Sequence, residues 1–164
     1  MVVPYRTAQN VGTAIYNVFS MLVDDQTLWI AAFQRGIEAV DLKSRTVKSY
    51  LADPSDPSSR VFVLFRSSSG RIWAGTSVGL FYYDRFEDRF VTRDPKVRIS
   101  DITEDHAGRL WIATNEDGLY SYDARTDLLQ HYRYDPDDPA TISRNAVNKV
   151  IFSALNFNNS ACCH

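Results

Sequence analysis

The residues able to do chemistry are few and scattered. His106 follows Asp105 and His131 stands by itself, and neither has a serine or cysteine nearby in a context that would make a nucleophile. Cys162-Cys163 precedes His164, but two adjacent cysteines and one histidine fall a ligand short of a zinc site. No catalytic residue, metal or cofactor is therefore expected. What remains is a set suited to recognition: Phe33-Gln34-Arg35, Arg60, Asn115-Glu116-Asp117 and Arg144-Asn145. Amides, carboxylates, guanidinium groups and one aromatic ring suit a sugar or an anionic glycan. Arg35 and Arg144 lead this set, because a guanidinium holds a carboxylate or sulfate through two parallel hydrogen bonds. Every one of these types is also an ordinary solvated loop residue, so the set has meaning only if a fold gathers it.

The elements that would do so are visible as a repeat. Leu28-Trp29-Ile30-Ala31-Ala32, Ile72-Trp73-Ala74-Gly75-Thr76 and Leu110-Trp111-Ile112-Ala113-Thr114 are one motif seen three times, about 40 residues apart. Each is followed by a Gly-apolar pair, Gly36-Ile37, Gly79-Leu80 or Gly118-Leu119, and then by Asp41, Asp84 or Asp123. Short apolar runs bounded by Gly, Asn and Asp clusters read as strands joined by tight turns.

Strands are expected over 16–23, 28–32, 37–41 and 46–51 in the first unit, and over 61–65, 72–76, 80–84 and 89–92 in the second. The third unit reads as 99–104, 110–114, 119–123 and 129–134, and 146–153 opens a fourth. The loop Asp135-Pro136-Asp137-Asp138-Pro139 echoes Asp53-Pro54-Ser55-Asp56-Pro57, which puts the long link at the same point of each unit. Four strands per unit of this length is the arithmetic of a β-propeller blade. The expected fold is all-β: an incomplete propeller of three four-stranded blades plus the first strand of a fourth. Its blades lie at about 15–52, 61–94, 99–135 and from 146, within a partial propeller spanning 15–153. Residues 1–14 read as an irregular segment and 154–164 match nothing in the pattern, so the chain stops inside a repeat and reads as a fragment, a truncated product, or a protein that completes itself by pairing with another chain. Trp29, Trp73 and Trp111 are expected to fill the layers between blades.

With the first strand of each blade nearest the axis, the turn after the second strand and the link after the fourth emerge on one face. That face collects the recognition set. Three blades would also leave two apolar sheet faces, so a second copy of the chain is an expected partner beside an oligosaccharide ligand.

Composition narrows the classes. Across 164 residues, 45% are hydrophobic, 13% aromatic and 23% charged, which suits a β-rich globular core. Acidic residues (20) outnumber basic ones (18), and the basic ones are dispersed, so nucleic acid is not an expected partner. No apolar run approaches the roughly 20 residues of a membrane span, and Met1-Val2-Val3-Pro4-Tyr5-Arg6 does not read as a secretory leader. Two neighbouring cysteines cannot form a disulfide framework.

The string Asp105-His106-Ala107-Gly108-Arg109-Leu110-Trp111-Ile112-Ala113-Thr114, continuing to Gly118-Leu119 and Tyr122-Asp123, resembles the two-component regulator propeller repeat, as does the DPxDP loop followed by Ser143-Arg144-Asn145. The resemblance covers roughly 15–153. The first unit departs at Asp24-Asp25-Gln26-Thr27, which has no glycine, and the second has Ser69 in place of the acidic residue. The resemblance implies a fragment of the extracytoplasmic, periplasmic ligand-sensing propeller of a bacterial hybrid histidine kinase/response regulator, likened to sensors of oligosaccharides. In such proteins a β-sandwich, a membrane helix and a cytoplasmic kinase follow the propellers, so no catalysis is expected of this chain by itself. The alternatives are a propeller lyase or other glycan-active enzyme, which would need a His/Tyr/Glu cluster at the channel mouth, and a purely structural fragment that oligomerises.

Overall fold

Apolar and polar residues alternate in short runs, and each run ends at a residue that can turn the chain. The result, in a computed structural model that describes residues 17–152 and 162–163, is a row of antiparallel sheets. The first sheet holds β1 (Val18–Asp24), β2 (Thr27–Ala32), β3 (Gly36–Asp41) and β4 (Val47–Tyr50) in sequence order. The second holds β5 (Val61–Arg66), β6 (Ile72–Thr76), β7 (Leu80–Asp84) and β8 (Arg89–Arg93). The third holds β9 (Ile99–Glu104), β10 (Leu110–Thr114), β11 (Leu119–Asp123) and β12 (Leu128–Tyr132). Helical geometry among the described residues is confined to one 3₁₀ turn, Pro57–Ser59.

The three expected blades are there, with shifted ends. β1 runs on to Asp24 because that carboxylate is buried against the second sheet, where Arg66 Nε lies 2.7 Å from Oδ1 and Arg85 Nη2 2.6 Å from Oδ2. The strand expected to reach residue 134 stops at Tyr132, because the Tyr134 amide donates to Asn145 Oδ1 instead of to a neighbouring strand. The fourth unit is shorter than expected: its strand, β13, is only Val150–Ile151. The residues before it are held singly, by Val147 N–H to the Thr114 carbonyl (2.9 Å) and Ser100 Oγ to the Val147 carbonyl (2.5 Å). β13 pairs antiparallel with β14, Cys162–Cys163, a strand the sequence pattern does not show. The expectations for 1–14, Tyr16, Ser153 and most of 154–164 lie outside the described residues.

Each sheet buries one face against the next. Trp29, Ile37, Val61, Leu64, Ile72 and Phe90 fill the layer between the first and second sheets. Trp73, Leu80, Ile99, Ile102, Leu110 and Ile112 fill the next. The tryptophans reach forward: Trp29 to Tyr83 (4.8 Å between ring centres), Trp73 to Tyr122 (5.8 Å) and Trp111 to Phe152 (5.8 Å). Trp29 and Trp73 are buried as expected. Trp111 is half-buried, because the two-residue β13 covers less of it than a full sheet would. Gly75 sits where two sheets meet closely: a Cβ there would lie 2.6 Å from a side-chain atom of Ile99 in the next sheet and 2.6 Å from one of Val63 in its own.

Candidate functional site

The sheets bring one set of turns together on one face. In each sheet the turn after the second strand is hydrogen-bonded to the residue that leads into the first strand. Phe33 N–H donates to the Asn17 carbonyl (3.0 Å), Ser77 N–H to that of Arg60 (3.0 Å) and Asn115 N–H to that of Arg98 (3.2 Å). Asn17, Arg60 and Arg98 therefore hold equivalent positions, at the lip where the innermost strand begins.

One residue into each innermost strand the pairing register slips, at Phe19, Phe62 and Ser100. Such an irregularity re-aims a side chain out of the alternating pattern. Here it aligns rings. Phe19 packs edge-on to Phe33 (5.9 Å) and to Phe62 (5.5 Å), and the Arg98 guanidinium lies over the Phe62 ring at 4.6 Å. A continuous run, Phe33–Phe19–Phe62–Arg98, thus crosses all three sheets at the lip. Phe19 is 48% exposed and Phe33 37%. Beside Arg98 a cleft of about 410 Å³ is lined by Val97, Arg98, Asn115, Glu116 and Asp117.

The residues singled out in the sequence divide in two. Phe33 joins the aromatic run, and Asn115, Glu116 and Asp117 line the cleft. Gln34, Arg35, Arg60 and Arg144 are exposed on the same set of turns. Arg35 and Arg144 belong to the first sheet and to the link after the third, with the second and third sheets between them. Asn145 is a loop pin: its carbonyl accepts from Gly118 N–H (2.7 Å) and its Oδ1 from Tyr134 N–H (2.7 Å). Asp117 is also engaged, by the Tyr120 hydroxyl (2.5 Å to Oδ2) and by Arg133 Nη2 (3.1 Å to Oδ1). His131 stacks on Tyr120 at 3.9 Å, and its Nε2 lies 2.6 Å from the Asp117 carbonyl. Burial and then the Asp117 carboxylate push the Tyr120 hydroxyl well above the usual tyrosine range, so it stays a donor. The group braces the lip and presents no nucleophile. Arg98, Phe19 and Phe62 were not singled out. Their signal is the recurring triplet Asn17-Val18-Phe19, Arg60-Val61-Phe62 and Arg98-Ile99-Ser100.

The turns on the opposite face are structural. Asp105 Oδ1 accepts from the amides of Ala107 and Arg109 (2.9 Å each), and Oδ2 from Arg109 Nε (2.8 Å) and Trp111 Nε1 (3.0 Å). Burial raises this carboxyl's pKa, but the Trp111 and Arg109 hydrogen bonds outweigh it and hold it below the usual range. In the second sheet Ser67, not Ser69, takes the place of Asp105. Ser67 N–H donates to the Arg71 carbonyl (2.9 Å) as Asp105 N–H does to that of Arg109 (2.9 Å), and Gly70 and Gly108 close the two turns alike. Among the described residues no three His, Cys, Asp or Glu side chains gather as a metal would need.

Residues 94–116, from the link before β9 to the turn after β10, match the two component regulator propeller family. That stretch resembles a two-component regulator propeller repeat over the first half of the third sheet. The match takes in Arg98 and Asn115 at the lip and Asp105 and Trp111 in the sheet. Over 97 residues the chain is 34% identical to histidine kinase P4 of Formosa agariphila, covering 49% of this chain and 7% of that protein. The fold is similar to the extracellular domain of a hybrid two component system from B. thetaiotaomicron, with TM-score 0.67 and 23% identity over 78% of this chain and 16% of that one. It is also similar to a catalytically inactive virginiamycin B lyase from Staphylococcus aureus, with TM-score 0.59 and 16% identity over 81% of this chain and 46% of that one. At these identities the two structural likenesses are likenesses of fold. The chain spans a small part of the kinase and of the sensor domain it resembles. No helix among the described residues is long and apolar enough to cross a membrane.

Proposed function

We propose that this chain is part of the periplasmic ligand-sensing propeller of a bacterial hybrid two-component sensor, and that its lip takes an oligosaccharide by binding without turnover. The observation that carries the reading is the aromatic run ending in a guanidinium, Phe33–Phe19–Phe62–Arg98, on a chain that bears the regulator propeller repeat. Sugar rings have apolar C–H faces and polar edges. Phe19 and Phe33 offer rings to the faces, Asn115 and Glu116 offer hydrogen-bond groups to hydroxyls, and Arg98 and Arg60 suit a carboxylate or sulfate. Binding becomes a signal only if the ligand prefers one state of the receptor.

The test is calorimetric titration of the chain with a panel of neutral and acidic oligosaccharides, followed by Phe62→Ala and Arg98→Ala. A cognate glycan should bind, and each variant should weaken it by about tenfold or more, about 1.4 kcal/mol. Arg35→Ala and Arg144→Ala should matter less to a short glycan, because the second and third sheets separate the two side chains. A panel in which nothing binds, or a glycan that binds both lip variants as tightly as the parent, would contradict the placement. Cleavage of a glycan would replace the sensor with an enzyme.

A further inference from the structure

On the face opposite the lip, a cleft of about 630 Å³ is lined by Arg66, Arg71, Arg85, Tyr82, Tyr83, Ser69 and Gly70, with Asp25, Asp84 and Phe86 at its rim. Its three arginines are not equivalent. Arg66 and Arg85 are both committed to the buried Asp24. Arg71 lies over the rings of Tyr82 (5.0 Å) and Trp73 (5.7 Å), and no carboxylate among the described residues pairs with it.

The third sheet shows what such an arginine has when the repeat is complete. Arg109 lies over Trp111 at 5.8 Å, the same relation as Arg71 to Trp73, and one oxygen of Asp105 accepts from both Arg109 Nε and Trp111 Nε1. In the second sheet Ser67 stands at the place of Asp105. Its hydroxyl donates to the Arg71 carbonyl (3.1 Å) and sits 2.9 Å from Ser69 Oγ, so it does not reach the indole. The Trp73 indole N–H is buried, in a side chain only 1% exposed, and has no acceptor among the described residues. A buried donor of this kind costs free energy until it finds an acceptor. The remaining acids are elsewhere engaged or outside: Asp84 Oδ1 accepts the amides of Phe86 (2.9 Å) and Glu87 (3.1 Å), and Asp25 is exposed. Gly70, at the cleft wall, adds no bulk there: a Cβ on it would meet nothing closer than Arg66 Nη2 at 3.7 Å.

We infer that Arg71 and the Trp73 indole form a carboxylate-binding site on the face opposite the lip, taking from a small organic acid the planar two-oxygen group that Asp105 supplies within the third sheet. Arg71 Nε and Trp73 Nε1 are the donors, and Arg66 and Arg85 add positive potential at the entrance. The site is separate from the lip and stands whether or not the lip binds a sugar.

The test uses acetate as the probe and follows the Trp73 indole N–H resonance by NMR, assigned with Trp73→Phe. Acetate should shift it saturably, while chloride at matched ionic strength should not. Arg71→Gln should abolish the shift. Ser67→Asp should move the Trp73 resonance toward that of Trp111 without acetate and block the titration, since it supplies the carboxylate from within. This second variant keeps the test decisive if Arg71→Gln fails to fold. A linear, unsaturable shift, an equal response to chloride, or a Ser67→Asp chain that titrates like the parent would each overturn the site.

Discussion

The Tyr50 hydroxyl donates a 2.7 Å hydrogen bond to Asp88 Oδ1, tying the last strand of the first sheet to the outer turn of the second. Tyr83 donates to the same oxygen at 2.7 Å, and Lys48 pairs with the other. The arrangement recurs one sheet on, where Arg93 Nη2 (2.6 Å) reaches across to Asp127 Oδ1 and Tyr122 (2.8 Å) donates from within its own sheet. Asp88 and Asp127 both sit at positive φ, 52° and 57°, a conformation Asp tolerates better than most residues. The outer edges of the first-to-second and second-to-third sheet boundaries are thus each latched by one carboxylate on a tight turn. Tyr50→Phe and Asp88→Asn should each lower the melting temperature, and together should cost less than the sum of the two, because they remove the same bond. Strictly additive melts would mean that the Tyr50–Asp88 bond contributes no coupling of its own.

The latch and the Asp105 turn make the fold acid-sensitive. Lys48, and after it Tyr50 and Tyr83, hold the Asp88 carboxyl far below its ordinary value. Asp105 is also lowered, with the Trp111 and Arg109 bonds overcoming burial. A carboxyl whose pKa is lower folded than unfolded contributes stability that is complete above the unfolded value, about 3.9, and is lost as pH falls from there toward the folded value. Melting temperature should therefore drop as pH is lowered through about 4, and less steeply in Asp88→Asn and Asp105→Asn. A midpoint that holds level from neutral pH down into that range would contradict both assignments.

The repeated tryptophans are not energetically equal. Trp73 is buried between two full sheets, so Trp73→Ala should cost about 3–5 kcal/mol in a denaturant melt. Trp111 is half-buried, and although its loss also breaks an indole bond to Asp105, the smaller buried surface should keep the cost lower, below about 3 kcal/mol. Equal losses would mean that residues beyond β13 cover Trp111 as fully as a complete sheet does.

The blades were legible because Leu-Trp-Ile and its two followers repeat in register, and side-chain alternation shows directly which residues face a neighbouring sheet. The lip was half legible. Strand direction placed Phe33 and Asn115 on the lip face, but it could not show the register slip that turns Phe19 and Phe62 into a row, because a slip is a property of pairing between strands. Arg98 sits between Val97 and Ile99 and reads in sequence as a solvated charge. Ser67 stands three residues before Gly70 and six before Trp73, the spacing of Asp105 to Gly108 and Trp111, and its backbone bonds agree with that alignment against Ser69. Asn145 and Asp117 have the right types for a ligand, yet each is spent on holding its loop, which the types alone do not reveal.

Gly118, like Gly36 in the first sheet, is a place where the lip depends on a missing side chain. Its φ is +81°, and a Cβ there would lie 2.2 Å from the Tyr132 carbonyl oxygen, on backbone that cannot swing aside. Gly70 has nearly the same φ, +79°, but the nearest atom to its Cβ position is Arg66 Nη2 at 3.7 Å. Gly70→Ala should therefore pay only for the left-handed conformation, about 1 kcal/mol. Gly118→Ala should pay that and the collision as well, and Gly118→Val more again, so the two alanine variants should differ by at least about 1 kcal/mol. Because Gly118 N–H also holds the Asn145 carbonyl at 2.7 Å, relief of the clash should displace the 115–117 turn and weaken whatever binds beside Arg98. Equal losses at the two glycines in a urea melt would show that β12 yields to the new methyl group, and the lip would then be softer than its hydrogen bonds imply.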